Sequence, residues 1–218
     1  AVKALDRGLH VFVEKPLATN YQEALQLEHL AKEKGLSLVV GHIYLHNLGI
    51  KEIPIPIGPA ELNVRFLNKG GGPSPSTRDI FWAGLPHAVS LALYFFNDDP
   101  NLITAEKHGD RVQASLYFWP GSCAKLDVGD FTGRKLRAVE LRVENTRYQF
   151  NTEHPVGVDI YSGVECHSFG YGRTHEPLLE ECKFFLGAPE VDNMGSRVVR
   201  LIEVIKEKCD ASGLTSNK

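Results

Sequence analysis

The sequence predicts two fold classes in succession, α/β and then α+β. The first is the carboxyl-terminal piece of a doubly wound parallel unit. The second is a large, mostly antiparallel open sheet with helices on one face. Three observations predict this. The first fifty residues read helix, strand, helix, strand. The apolar period then changes to two over a series of short runs separated by turn residues. Helical periodicity over 79–96, 173–186 and 193–209 brackets those runs.

Ala1 to Gly8 reads as the end of a helix closed by glycine. His10 to Val13 is an apolar run, expected to be a short strand buried on both faces. Glu14-Lys15-Pro16 stops it, because proline lacks the amide hydrogen a central strand needs. A lysine therefore stands at the carboxyl end of a strand, the edge where open α/β sheets bind ligands. The plainer reading is a surface lysine at a strand end. Thr19-Asn20 can cap a helix from Tyr21 to Lys34, with Ala24, Leu27, Leu30 and Ala31 on one face and Gly35 as its stop. Leu36 to Val40 is a second apolar run, ending at Gly41-His42. Ile43 to Ile53 reads as a loop with one helical turn, and Pro54, Pro56 and Pro59 fence off a connector.

Glu61 to Leu67 alternates and predicts a strand with one wet face. Lys69 to Thr77 is a Gly/Pro/Ser loop of the kind that covers clefts. Asp79 to Phe96 predicts a helix with Ile80, Leu85, Val89 and Leu93 as its buried stripe, started or kinked at Pro86 and ended by Asn97-Asp98-Asp99-Pro100. Strands are expected at Leu102–Glu106, Val112–Phe118, Cys123–Val128, Ala138–Val143, Tyr148–Phe150 and Val158–Tyr161. Tight turns between them imply an antiparallel meander, one face on the 79–96 helix and the other wet or a subunit interface. Helices at Arg173–Leu186 and Asn193–Cys209 follow. The second buries Val198, Leu201, Ile202 and Ile205, and the small polar tail from Asp210 is expected to fray.

A chain of 218 residues can bury a substantial core, as one large domain or two small ones. A net charge of −3 with no basic stripe excludes a nucleic-acid partner, and no apolar run is long enough for a membrane span. No secretory signal is visible. Cys123, Cys166, Cys182 and Cys209 are scattered without chelating spacing, so they read as thiols of a reducing cytosol and no metal site is expected. No Gly-x-Gly-x-x-Gly follows a strand. Gly70-Gly71-Gly72 runs into Pro73 and Pro75, which excludes a phosphate cradle there.

The run Ala4-Leu5-Asp6-Arg7-Gly8-Leu9-His10-Val11-Phe12-Val13-Glu14-Lys15-Pro16-Leu17-Ala18, with Gly41-His42, resembles the glucose–fructose oxidoreductase, inositol dehydrogenase and rhizopine-catabolism (Gfo/Idh/MocA) oxidoreductases. Ile80-Phe81-Trp82-Ala83-Gly84-Leu85-Pro86-His87-Ala88-Val89-Ser90 is similar to that family's active-site helix, and the likeness runs on through Glu176-Pro177-Leu178. The resemblance implies that residues 1–47 are the tail of a Rossmann-type dinucleotide-binding domain. Its amino-terminal part is expected to be absent from this sequence, and a chain starting at Ala1 is expected to expose the flank of its first strand. Residues 48–218 would form an α+β domain for substrate and oligomerisation. It further implies NAD or NADP as cofactor, a sugar, cyclitol or nucleotide-sugar substrate, a cytoplasmic location, and a homodimer or homotetramer built through the sheet face.

The resemblance also assigns roles. Lys15 would lie by the nicotinamide and the reacting carbon, where partial desolvation disfavours its charged form. His87 matches the histidine that faces the carbinol; read without the family, a histidine on an apolar helix is a satisfied core residue. Glu14, Lys15, Pro16, His42, Arg78 and Trp82 would border the cofactor. Tyr44, Asn47, Arg173 and His175 would border the substrate. Asp127 and Asp130 read as structural. One departure stands out: the family's usual aspartate one helical turn before the histidine is Ala83 here, and Ala88 and Ser90 replace acidic residues after it. His87 then works with Lys15 alone, or the substrate supplies the missing group, or the chain is an impaired sugar- or cofactor-binding relative. A purely structural subunit is the remaining alternative.

Overall fold

In the computed structural model the described residues are 1–69, 79–131, 135–151, 157–170, 176–187, 191 and 193–215. Strand β1 (Val11–Glu14) pairs in parallel with β2 (Leu38–Gly41), Val11 opposite Leu38 and Glu14 opposite Gly41. The expectation of burial on both faces holds for β2, where all four residues are buried. It fails for β1, where only Val11 is. The reason is position: Val191 bridges to Leu38 on the far side of β2, whereas β1 has no second strand among the described residues. Around the pair lie α1 (Val2–Leu5) and α2 (Tyr21–Glu33). The Asn20 side chain caps α2 by accepting from the Glu23 amide at 3.2 Å, and Gly35 ends it at φ +65°.

After β2 the chain makes two helical turns where one was expected: a 3-10 turn, Ile43–His46, and α3 (Leu48–Lys51). It then enters the large sheet. Its strands are β3 (Ala60–Lys69), β4 (Leu102–His108), β5 (Arg111–Phe118), β6 (Ser122–Phe131), β7 (Leu136–Val143), β8 (Thr146–Asn151), β9 (Gly157–Ser162) and β10 (Glu165–Gly170). Their spatial order is β10-β9-β8-β7-β3-β6-β5-β4. This corrects the meander. β3 is inserted between β6 and β7, parallel to β6 and antiparallel to β7. Period-two patterning identifies strands and not their neighbours, so the insertion was invisible. β10, also missed, is exposed along its whole length and so lacks the apolar alternation that marks a strand.

The 79–96 helix is two helices, α4 (Ile80–Ala83) and α5 (Leu85–Phe96), broken at Gly84. A Cβ on Gly84 would run into the Val128 side chain of β6, so glycine lets the break lie directly on the sheet. Pro86 sits in the first turn of α5, where a missing N–H costs nothing. Asn97 closes α5 in the left-handed region at φ 47°. The opposite face of the sheet is polar and ion-paired: Lys125–Glu61 at 2.9 Å, Arg111–Asp127 at 2.6 Å, Arg142–Glu140 at 2.8 Å. Asp127 is thus structural, as read.

Helix α6 (Pro177–Gly187) precedes α7 (Met194–Thr215). The frayed tail is a second correction: α7 continues past Asp210 to Thr215. Its apolar positions serve two hydrophobic clusters. Val198, Leu201, Ile202, Ile205 and Cys209 join the core beneath the large sheet, while Val199 joins the core around β1 and β2. Two carboxylates fix α7 against α2. Glu28 of α2 accepts from the Ser196 amide at 2.8 Å and the Ser196 hydroxyl at 2.6 Å. Glu203 of α7 accepts from the Tyr21 amide at 3.0 Å. Each helix therefore places a negative charge at the other's amino terminus, where the exposed N–H groups and the dipole favour it.

Replacing Glu28 with alanine leaves the Ser196 donors buried without their acceptor, and loss of a charge-assisted bond costs about 2 kcal/mol. Urea unfolding of Glu28→Ala should show that loss. An unchanged midpoint would mean apolar packing alone joins the helices.

Candidate active site

The Lys15 ammonium lies just past the end of β1, after which the Lys15–Pro16 peptide is cis. It donates a 2.6 Å hydrogen bond to the carbonyl of Ala83, the last residue of α4. A helix's last carbonyls lack intrahelical partners and carry its negative end, so they suit a cation. Ala83 in turn lines a cleft of about 270 Å³ at one end of the large sheet. Along the sheet its walls run from Lys135 just before β7 and Arg137 within it, through Phe66 and Asn68 of β3, to Asp130 of β6 and Asp110 before β5. Ala83, Gly84 and His87 form the helical wall, with Tyr44 beside it.

His87 lines the cleft, while its Nδ1 is buried with no hydrogen-bond partner. Its ring meets the edge of Tyr44 at 5.1 Å, and Tyr44 stacks on Phe66 at 4.5 Å. Burial first, then the charge of Lys15, the neighbouring His42 ring and the charge of Arg137, lower the His87 pKa to about 3. The imidazole is therefore neutral at pH 7. Burial raises the Tyr44 pKa against the opposing pull of the Arg137 guanidinium. Arg137 donates to the carbonyls of Leu67 at 2.7 Å and Leu136 at 2.9 Å, and to the Asn68 side-chain oxygen at 2.5 Å. Those acceptors are all neutral.

Of the residues singled out from the sequence, Tyr44 and His87 come together at this cleft, and Lys15 reaches its wall through the Ala83 carbonyl. His42 is close behind. It is 2% exposed, neither ring nitrogen has a partner, and burial followed by His46 and Lys15 lowers its pKa to about 3. Pro16 is half-buried and Glu14 exposed at the end of β1. Two others have structural work. The Asn47 oxygen caps α3, accepting from the Gly49 amide at 2.9 Å. Trp82 packs against both hydrophobic clusters, at the seam between them. Arg78, Arg173, His175 and the glycine loop lie outside the described residues. Sequence reasoning missed Arg137, Lys135, Asn68 and Asp110. It took Asp130 as structural, and Asp130 does accept from Asn68 at 3.2 Å while also lining the cleft. The signal for Arg137 and Lys135 was their spacing of two at the start of a strand, which puts both on one face.

Helix α6 lies across the carboxyl ends of the parallel strands, with Phe185 against Phe12 at 5.7 Å and Phe184 against His46 at 5.2 Å. Its Glu181 is fully buried with neither oxygen hydrogen-bonded. Burial, and secondarily the Glu14 charge, raise its pKa to about 7. No cluster of metal-ligating side chains occurs among the described residues, and none of their helices is long and apolar enough to cross a membrane.

The parallel pair followed by a helix-covered open sheet is a fold found in known proteins. Residues 1–42 match the model of the Gfo/Idh/MocA family, an oxidoreductase family with an NAD-binding Rossmann fold. No curated protein matches the sequence. Among solved structures, the chain is similar to UDP-N-acetylglucosamine 3-dehydrogenase of Acidithiobacillus ferrooxidans, with a TM-score of 0.86 and 19% identity over 96% of this chain and 74% of that one. It is also similar to a 3-ketoreductase of Actinomadura kijaniata solved with TDP-benzene and NADP, with a TM-score of 0.78 and 20% identity over 95% and 72% of the two chains. A dehydrogenase of Clostridium difficile gives a TM-score of 0.77 and 18% identity over 93% and 72%. The fold is shared with these enzymes, and the amino-terminal match bears out the resemblance to the Gfo/Idh/MocA oxidoreductases.

The shifted groups act on stability with opposite signs. The histidines take up protons in the unfolded chain at 6.5 but in the folded chain only near 3 for His42 and His87 and near 4 for His46, so stability falls as pH drops through that window. Glu181 loses its proton at 4.5 when unfolded and near 7 when folded, so its burial costs stability increasingly from 4.5 upward and fully above 7. Glu181→Gln should therefore stabilise the chain by about 1–2 kcal/mol at pH 8, and by far less at pH 4. A gain of equal size at both pH values would show that charge is not the cause.

Proposed function

We propose that the chain serves an NAD(P)-dependent oxidoreductase that moves hydride between nicotinamide and a secondary alcohol of a sugar, cyclitol or nucleotide sugar. One observation carries this. His87 lines the cleft, and Lys15, remote in sequence and just past the end of a parallel strand, is hydrogen-bonded to Ala83 of the same cleft's wall and acts electrostatically on the His87 ring. The donor set there fits the nicotinamide end of the cofactor, since Lys15 is at that edge and both His42 nitrogens lack partners. When bound, the cofactor supplies the hydride acceptor or donor.

The chain's own residues then have distinct tasks. Lys15, braced on the Ala83 carbonyl, gives its ammonium proton to the substrate's carbonyl oxygen in the direction of reduction, and in the direction of oxidation the neutral amine takes that proton back from the hydroxyl. Beside two cations His87 gains a proton with difficulty, so it serves as a neutral partner that orients the hydroxyl. The positive field of Lys15 and Arg137 lowers the hydroxyl's own pKa and stabilises the developing alkoxide. The aromatic wall of Tyr44 and Phe66 excludes water from the reacting carbon. We also take residues 1–47 as the cofactor side and 48–218 as the substrate and assembly side. The ion-paired sheet face is the surface offered for a dimer or tetramer of the same chain.

A second reading has its own support. The Ala83 position faces the cleft and His87 Nδ1 has no partner, as expected of an impaired relative that binds without turnover. Reduced-nicotinamide absorbance over a panel of polyols, with NAD and NADP in turn, decides between them. Turnover that falls at least about 100-fold in Lys15→Ala, with folding retained, is the expected result. Cofactor binding without turnover of any polyol would favour the impaired relative, and unchanged turnover in Lys15→Ala would remove Lys15 from the mechanism.

A further inference from the structure

Charge is unevenly spread along the cleft. Toward β7 stand Lys135 and Arg137, while Gly84 lies over Val128 of β6 and Ile80 close to Gly129, and Lys15 bonds to this helical wall at the Ala83 carbonyl. Toward β6 and β5 stand Asp130 and Asp110. The helical wall between them carries no acid, because alanine occupies position 83. The charged groups that act on His87 are all cationic or imidazole: Lys15, His42 and Arg137.

Arg137 is the most telling of these. Its guanidinium is half-buried and satisfied by two carbonyls, an amide oxygen and the Tyr44 hydroxyl, with no carboxylate paired to it among the described residues. The other cleft-side face of the fork is a cation–π contact with Phe66, 5.6 Å from the ring centre. A guanidinium held rigid by neutral acceptors keeps its full charge and its planar geometry for an incoming anion. The two aspartates at the far end accept hydrogen bonds, as sugar hydroxyls require.

We infer that the cleft takes a polyhydroxylated substrate bearing an anionic group, carboxylate or phosphate, near the reacting carbon. The anion pairs with Arg137 on the Phe66 side of His87, where it supplies the negative charge that the helical wall of the cleft lacks. Its hydroxyls face Asp110 and Asp130. Ala83 is then a specificity determinant: an acid at that position would repel the substrate's own. The inference rests on the reading of this cleft as the substrate site, but it concerns binding and can be tested without turnover.

The test is calorimetric titration of the chain with D-gluconate, D-glucose 6-phosphate, D-glucose and myo-inositol. At least one anionic ligand should bind tenfold or more tightly than both neutral ones, and the two anions distinguish carboxylate from phosphate. Arg137→Gln should abolish the difference. Arg137→Lys, which keeps the charge and loses the fork, should retain part of it. Ala83→Asp should reverse the preference toward the neutral ligands. Equal binding of all four, no binding of any, or a preference that survives Arg137→Gln would overturn the inference. So would an unaltered preference in Ala83→Asp, which holds even where Arg137→Gln does not fold. Titration with reduced nicotinamide cofactor separates the two failures. An anion preference in a chain that binds no nicotinamide would sink the oxidoreductase reading, and nicotinamide binding without the preference would sink this one.

Discussion

One hydrogen bond crosses from the parallel pair to the wall of the cleft, from the Lys15 ammonium to the Ala83 carbonyl. Much of the architecture serves to make that bond possible. β1 must end in a charged residue at the sheet's carboxyl edge, and α4 must stop at Ala83 so that its terminal carbonyl is free. Gly84 allows that stop by giving Val128 room. Behind them α7 locks the small core to the large one through Val199 on one side and Ile202 and Ile205 on the other. Gly195 shows how tight this docking is, because a Cβ there would sit 2.7 Å from Val40 and 2.8 Å from Leu17.

Among the described residues the charges that act on the His87 imidazole are those of Lys15 and Arg137, while Asp110 and Asp130 line another part of the cleft. Such a field has two consequences that follow from the same cause. It adds to burial, the larger cause, in holding His42 and His87 neutral. It also favours any group that becomes negative in the cleft, whether an alkoxide in the reaction or an anion already on the ligand. Removing the aspartate expected at position 83 therefore changes the kind of chemistry the pocket favours, and need not merely weaken it.

How much of this was legible depends on whether the cause was local. The caps at Asn20 and Gly35, the break near Pro86 and most strand positions follow from neighbouring residues, and they were read correctly. The position of β3 between β6 and β7 depends on pairing across more than sixty residues, and no short-range pattern encodes it. That same insertion sets Arg137 beside Asn68 and Phe66, which is why the anion-facing side of the cleft went unread. Lys15 and His87 were legible only as a pair of motifs; that Lys15 bonds to the wall His87 shares is set by tertiary structure. Asn47 shows the opposite error, a polar residue at a suggestive place whose oxygen is spent on capping a helix.

The central claim is that Lys15 acts on His87 at the wall of one desolvated cleft. Carbon-13 or nitrogen-15 histidine NMR across a pH titration tests it most directly, comparing the chain with Lys15→Met. The account predicts that His87 stays neutral well below its ordinary 6.5, with a pKa near 3 that rises when the ammonium is removed. A His87 resonance that titrates near 6.5 and is indifferent to Lys15 would contradict it.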